Sequence, residues 1–258
     1  MKNIDSLRAY MKKEFIEGVR THRFLILAAG VLFFAIANPV LLKLMPEILK
    51  SQAQGMDLTS IIELNQKAAM ESYTKNLYQI SVIVIVFTLM NLISGERMDK
   101  TLTIPVAMGC SIKSILISKV SIYGVYIMIL SIIGMITAYY YSGIIFEPDY
   151  SCFAAVFNAG FLYGIFFIFV ISLLLLLGSI MKKSFIAGIS TLLIIYLMPL
   201  LDTVLGVGRY LPTNLLKEAN YFNKILSTDL KVTTLFTVLI IILINTVCAI
   251  KLQNTELA

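Results

Sequence analysis

Histidine, cysteine and charged residues are scarce in this chain of 258 residues, and each shortage excludes a class of protein. His22 is the only histidine, which excludes a two-histidine metal site and an H-E-x-x-H protease motif. It also leaves a Ser-His-Asp triad without a base inside a hydrophobic segment. Cys110, Cys152 and Cys248 share no C-x-x-C spacing, so we expect small apolar residues rather than metal ligands or a disulfide framework.

Motifs for catalysis are also missing. No G-x-x-x-x-G-K-[ST] sequence occurs, and no hydrophilic stretch is long enough for a nucleotide-binding domain, so ATP hydrolysis through a P-loop is excluded. Two pairs of carboxylates, Glu96 with Asp99 and Glu147 with Asp149, fall on opposite sides of the predicted membrane and do not converge. We therefore expect a protein that is not an enzyme, with no catalytic residue, no metal site and no cofactor of its own.

Charge is too scarce for a soluble protein, because 14% of the residues are charged and 59% are hydrophobic. Soluble domains have about 25% and about 45–50%. The charges leave six long uncharged windows, and about 20 apolar residues in a helix cross the hydrocarbon layer of a membrane. The sequence therefore predicts an all-α membrane protein. We expect one domain, 1–258, with six transmembrane helices near 24–46, 77–95, 115–141, 152–181, 184–203 and 232–251.

The distribution of basic residues predicts the orientation. Thirteen of the 21 Lys and Arg residues fall before span 1, between spans 2 and 3, between spans 4 and 5, or after span 6. The positive-inside rule then places both termini in the cytoplasm of a multi-pass plasma-membrane protein. We interpret the net charge of +6 as orientation and contact with membrane lipids, not as a nucleic-acid surface.

The segment 1–23 has the pattern of an amphipathic helix lying in the cytoplasmic membrane interface. Its apolar residues step by three or four positions, while charged residues take the other faces. These apolar residues are Ile4, Leu7, Met11, Phe15 and Val19. Two interpretations stay open: a passive anchor that sets the orientation, or a docking element for a cytoplasmic partner.

The segment between spans 2 and 3 is the most informative one. It begins Gly95-Glu96-Arg97-Met98-Asp99-Lys100-Thr101-Leu102 and continues to Gly109, Ser111, Lys113 and Lys119. Glu96 and Arg97 come where span 2 leaves the membrane, and a carboxylate there needs water, a helix N-terminus or a basic partner. The apolar spacing after Thr101 predicts a short surface helix that leads into span 3.

This segment resembles the type-2 ABC exporter permeases. That family carries Glu-Arg, two variable residues and Gly-Thr-Leu, then Pro-Val-Ser-Arg and a Lys at the mouth of span 3. Five residues of this chain fall in that pattern: Glu96, Arg97, Thr101, Leu102 and Ser111, and Lys113 and Lys119 follow in register. Three residues depart from it, because Lys100 replaces the Gly, Gly109 stands where Pro is usual, and Pro105 is extra.

The resemblance implies a coupling helix near 101–113 that docks on a separate ABC ATP-binding subunit, which would hold ATP and Mg. We expect Glu96 and Arg97 at a hinge, and Lys113 and Lys119 at the lipid headgroups. Two permeases, identical or paralogous, would pair around a path lined by spans 2 and 5. Candidate path residues are Phe87, Thr88, Met90, Asn91 and Tyr196.

The function that this predicts is export of a hydrophobic or amphipathic cargo, such as a peptide, a drug or a lipid-like compound, by alternating access. The polar residues of the spans also have a plainer interpretation, as hydrogen-bonding partners between helices. A membrane assembly or sensor subunit without transport activity is the alternative function.

Overall fold

The computed structural model describes residues 3–52, 64–107, 109–147, 153–222 and 228–256, and within them the chain is helical without a strand. In chain order the α-helices are α1 (Asn3–Arg20), α2 (Arg23–Gln52), α3 (Gln66–Asn76), α4 (Val82–Leu89), α5 (Ser94–Met98), α6 (Thr103–Ala107), α7 (Ile112–Ile145), α8 (Phe153–Ile180), α9 (Ser184–Leu205), α10 (Asn214–Asn220) and α11 (Thr228–Glu256). A π-helical turn, Leu77–Ser81, joins α3 to α4, and a 3₁₀ turn, Gly208–Tyr210, precedes α10.

Six helical segments of the described chain are long and apolar enough to cross a membrane, which confirms the predicted helical class and the number of spans. The segments are Arg23–Ile48, Gln66–Met98, Ile112–Ile145, Phe153–Ile180, Ser184–Val204 and Leu230–Asn254, called spans 1 to 6 below. The direction of the chain across the membrane and the plasma-membrane location stay predictions. We call the end of the bundle that carries α1 and the span 2–span 3 segment the α1 end.

The helical segment of span 2 begins at Gln66, eleven residues before the predicted start near residue 77. The Asn65 side chain caps the helix by accepting a hydrogen bond from the backbone N–H of Ala68 at 2.7 Å. Asn76 donates to Asn38 Oδ1 of span 1 at 2.7 Å. Because these polar side chains find hydrogen-bonding partners, the helix extends beyond the uncharged window from which the span was predicted. Span 1 and span 3 also run a few residues past their predicted bounds.

Span 4 forms the centre of the bundle and is far more buried than spans 1 and 6. Its glycines allow span 3 to approach closely, because a Cβ atom on Gly160 would lie 2.7 Å from the Cα atom of Ile132. Ser131 of span 3 donates a hydrogen bond to the carbonyl of Gly160 at 2.8 Å. Small residues with side-chain hydrogen bonds of this kind are typical of close helix packing in membranes.

Helix α1 folds back on the bundle at His22, whose φ of 56° reverses the chain before span 1. It packs against span 3, and from Ser6 onward the buried residues of α1 are Ser6, Tyr10, Glu14 and Gly18. Two residues of the predicted apolar stripe, Phe15 and Val19, are 55% and 53% exposed. The helix therefore meets the bundle through a mainly polar face and leaves apolar side chains on its outer side.

Candidate functional site

A cluster of ionised side chains joins α1, span 2 and span 3 at the α1 end of the bundle. We call it the ion cluster, and it consists of Lys13, Glu14, Glu17, Arg23, Glu96 and Lys119. The three acids and three bases balance in charge, and they come from four separate parts of the chain. Loss of one partner leaves an uncompensated buried charge, so such a network holds these elements together only while all of its charges are paired.

Lys119 lies at the centre of the ion cluster and its side chain is fully buried. Its Nζ atom is 2.6 Å from Glu14 Oε1 and 3.0 Å from Glu96 Oε1. The prediction that Lys119 lies at the lipid headgroups is therefore wrong. Two carboxylates compensate the loss of hydration that would otherwise hold a lysine at the membrane surface.

Lys13 covers the outer side of the same carboxylates. Its Nζ atom is 3.1 Å from Glu14 Oε1 and 2.9 Å from Glu17 Oε2, and it also contacts Glu96. Burial by itself lowers the pKa of Lys13. The negative charges of Glu96 and Glu14 raise it by more than burial lowers it, so the pKa lies well above the ordinary lysine value. The amine therefore remains charged across the physiological range.

Glu17 extends the ion cluster to the start of span 1, where Arg23 Nη1 lies 2.9 Å from Glu17 Oε1 and 3.2 Å from the Tyr123 hydroxyl. Burial raises the pKa of Glu17, but the hydrogen bond and charge of Lys13, together with Arg23, outweigh it and lower the pKa below 4.5. The α1–span 1 reversal is thereby fixed to span 3.

The carboxylates of Glu14, Glu17 and Glu96 approach one another closely, with oxygen atoms within 4.8 Å. Lys13 and Lys119 already lie between them and supply the compensating charge. Their arrangement is that of an ion-pair network rather than of a cation site.

Arg97 fastens the end of span 2 to the end of span 4. Its Nη1 atom donates to the carbonyl of Ser179 at 2.5 Å and lies 3.5 Å from the carbonyl of Gly178. The last carbonyls of a helix have no partner within the helix and carry a partial negative charge, so a guanidinium is well placed there. Glu96 and Arg97, which are adjacent in sequence, thus attach span 2 to different parts of the bundle.

The chain then forms a short exposed helix between spans 2 and 3. Thr101 closes the turn, since its backbone N–H donates to the Glu96 carbonyl at 2.9 Å. Leu102 is buried against Tyr10 of α1 and Ile115 of span 3. Helix α6 follows, and Ile104 on it is 68% exposed. The short surface helix predicted after Thr101 is present.

The residues around α6 show how the backbone turns at each end of it. Lys100 has a φ of 54°, in the left-handed region that glycine adopts most easily, and Gly109 has a φ of 85°. Ser111 lies immediately before span 3. Lys113 is exposed in the first turn of that span, so of the two lysines predicted at the headgroups only Lys113 is on the surface.

The predicted path residues lie where span 2 packs against span 5. The Phe87 ring is 6.2 Å from the Phe185 ring, and the Tyr196 hydroxyl donates to the Gln79 carbonyl at 2.5 Å. Phe87 and Asn91 are exposed, whereas Thr88 and Met90 are half-buried. A cavity of about 520 Å³ extends from Asn91 to the ion cluster, and its lining includes Glu96, Lys13 and Ser184.

Five functional candidates were not predicted from the sequence: Lys13, Glu14, Glu17, Arg23 and Tyr123. The spacing of Tyr10, Glu14 and Gly18 by four residues, which places them along one side of α1 next to the apolar stripe, is the signal that indicates a buried polar face. Comparison of the chain with protein families, with curated proteins and with solved structures gives no match.

Proposed function

We propose that this chain is the membrane subunit of an ATP-driven exporter. A separate ABC ATP-binding subunit would bind ATP and Mg, and a second permease would complete the transporter. The cargo would be hydrophobic or amphipathic, and the pair of permeases would alternate between inward-facing and outward-facing states.

The observation that carries this proposal is that the exposed helix α6 directly follows the turn that begins at Glu96 of the ion cluster. Ile104 presents an exposed apolar side chain to an outside partner, while Leu102, two residues earlier, is buried between α1 and span 3. Thr101 connects the same turn to Glu96, whose carboxylate contacts Lys119. A force on α6 would therefore act on α1, span 2 and span 3 together, as coupling to an ATPase requires.

The backbone at Lys100 supports the resemblance to the exporter permeases. That family has glycine at this position, and Lys100 adopts the left-handed conformation that glycine takes without steric cost. A side chain other than glycine occupies it here, but the turn is of the kind that the motif would require.

The exposed face of span 2 supports a second permease and a cargo path. Phe87 and Asn91 are exposed beside span 5, and a cavity leads from Asn91 to the ion cluster. A mainly apolar surface with a few polar groups suits an amphipathic cargo.

The test is co-expression of the chain with candidate ATPases that carry a Walker A motif and are encoded beside it, followed by purification through the chain. We expect one ATPase to copurify with the wild-type chain and to be lost when Ile104→Asp places a charge on α6. Lys182→Asp, which adds an acid at the same end of the bundle but outside α6, is the matched control and should retain the ATPase.

If no Walker A protein binds, or if Ile104→Asp and Lys182→Asp bind equally, the proposal is wrong. An ATPase that binds but moves no cargo in vesicles, while a further bound protein changes its turnover, would favour the alternative, an assembly or sensor subunit.

A further inference from the structure

A proline leaves a gap in the backbone hydrogen bonding of span 5. Pro199 lies inside the helix and has no N–H, so the carbonyl of Ile195, four residues earlier, loses its partner within the helix. Ile195 is fully buried, and a buried carbonyl without a partner is costly. The Tyr78 hydroxyl of span 2 donates to this carbonyl at 3.1 Å. Span 2 therefore supplies the hydrogen bond that the proline removes, as neighbouring helices commonly do in membranes.

Span 2 is itself irregular where it meets this part of span 5. Its π-helical turn, Leu77–Ser81, contains both Tyr78 and Gln79. Such turns are rare, because their hydrogen bonds run to the fifth residue instead of the fourth, and they occur frequently at functional sites. The Tyr196 hydroxyl of span 5 donates to the Gln79 carbonyl at 2.5 Å. Each of the two spans thus donates a tyrosine hydroxyl to the backbone of the other, beside an irregular position in that helix.

The two tyrosine rings also pack edge to face, with their centroids 5.6 Å apart and their planes at 82°. On one side, the centroid of the Tyr78 ring lies 6.1 Å from that of Phe166, a fully buried residue of span 4. On the other side, the hydrogen bond from Tyr196 to Gln79 is exposed. The contact is therefore anchored at the centre of the bundle through span 2 and reaches the surface on the side of span 5.

We propose that Tyr78 and Tyr196 form a latch between spans 2 and 5, and that the two spans separate there by releasing both hydroxyls in one step. The π-helical turn and Pro199 act as the hinges, since sharp bends in helices occur at π-bulges and prolines. One step releases both bonds because Tyr78 is adjacent to the acceptor Gln79, and Tyr196 is adjacent to the acceptor Ile195. The latch is a property of this chain alone and does not rest on the proposed exporter function.

The experiment is hydrogen–deuterium exchange, followed by mass spectrometry, on the purified full chain in phosphatidylcholine nanodiscs. Tyr78→Phe and Tyr196→Phe each remove one hydroxyl and keep the ring. Loss of one neutral hydrogen bond should make the opening about fivefold more frequent. Because one step releases both bonds, each single variant should accelerate exchange about fivefold in both segments, 77–83 and 195–205. The double variant should accelerate it about 25-fold, the product of the two effects.

Tyr126→Phe is the matched control, because the Tyr126 hydroxyl donates to the Phe24 carbonyl at 2.8 Å, a bond of the same kind between spans 3 and 1. It should leave exchange in both segments unchanged. Acceleration in only one of the two spans, a uniform acceleration over all six spans, or no acceleration beyond that of the control would overturn the proposal.

Pro199→Ala tests the role of the freed carbonyl. Alanine restores an N–H that can bond to the Ile195 carbonyl within the helix, so the Tyr78 hydroxyl is no longer needed there. In the Pro199→Ala background, Tyr78→Phe should therefore accelerate exchange less than about twofold. An effect of Tyr78→Phe as large as in the wild-type background would contradict the latch.

Discussion

Removal of the Lys119 charge gives the sharpest test of the ion cluster. In Lys119→Met the aliphatic stem is kept, while Glu14 and Glu96 lose an amine at 2.6 and 3.0 Å. Loss of one partner of a buried ion pair costs about 3–5 kcal/mol, because the remaining charge stays buried. Lys13 still contacts both carboxylates, so we expect a loss near the lower limit, about 3 kcal/mol in the free energy of unfolding.

The assay is reversible unfolding in mixed micelles, with the double variant Glu14→Gln/Lys119→Met measured beside each single variant. Because the double variant removes one charge of each sign, it should be at least about 1 kcal/mol more stable than the sum of the single losses predicts. Lys113→Met, at an exposed lysine six residues earlier, is the control and should change stability by less than about 0.5 kcal/mol. A Lys119→Met loss as small as that of the control, together with additive effects in the double variant, would refute the reasoning.

Three further predictions concern other parts of the bundle, each measured as a free energy or midpoint of unfolding. Arg97→Gln removes charged hydrogen bonds to the end of span 4 and should cost about 1.5–3 kcal/mol; an unchanged stability would contradict this contact. Gly134→Ala should cost about 1–3 kcal/mol because the added Cβ meets the Tyr73 hydroxyl, whereas Gly188→Ala, with its nearest atoms at 3.5 Å, should be nearly neutral. The pKa of Glu17 is lowered, which stabilises the fold above pH 4.5, and this contribution is lost as the pH falls through the folded-state value. Glu17→Gln should therefore flatten the fall of the unfolding midpoint as the pH is lowered below 4.5; a fall as steep as in the wild type would contradict the shift.

The number of spans could be predicted from the sequence because the hydrophobic length of a helix is a local property. The start of span 2 could not, because its polar first turns depend on distant partners. Gln66 donates to the Tyr139 carbonyl of span 3 at 3.0 Å, and Asn76 pairs with Asn38 of span 1. A window of uncharged residues does not contain this information.

The ion cluster could be predicted only in part, for a similar reason. The motif identified Glu96, Thr101 and Leu102 as one unit, and these residues are connected within a few positions of the chain. Glu14 and Lys119 are 105 residues apart, so their pairing depends on the packing of α1 against span 3. Without that contact, a lysine in the early turns of a span is expected at the headgroups, and of Lys113 and Lys119 only Lys113 is exposed.

The central claim, that this chain couples a separate ATPase to transport, is tested most directly by ATP turnover in proteoliposomes. Turnover of the partner ATPase is measured alone, with the wild-type chain, and with Glu96→Ala, which keeps α6 but removes a carboxylate from the ion cluster. We predict that the wild-type chain changes the turnover and that Glu96→Ala retains ATP hydrolysis while losing ATP-dependent movement of cargo. A turnover that is the same with and without the chain would contradict the account.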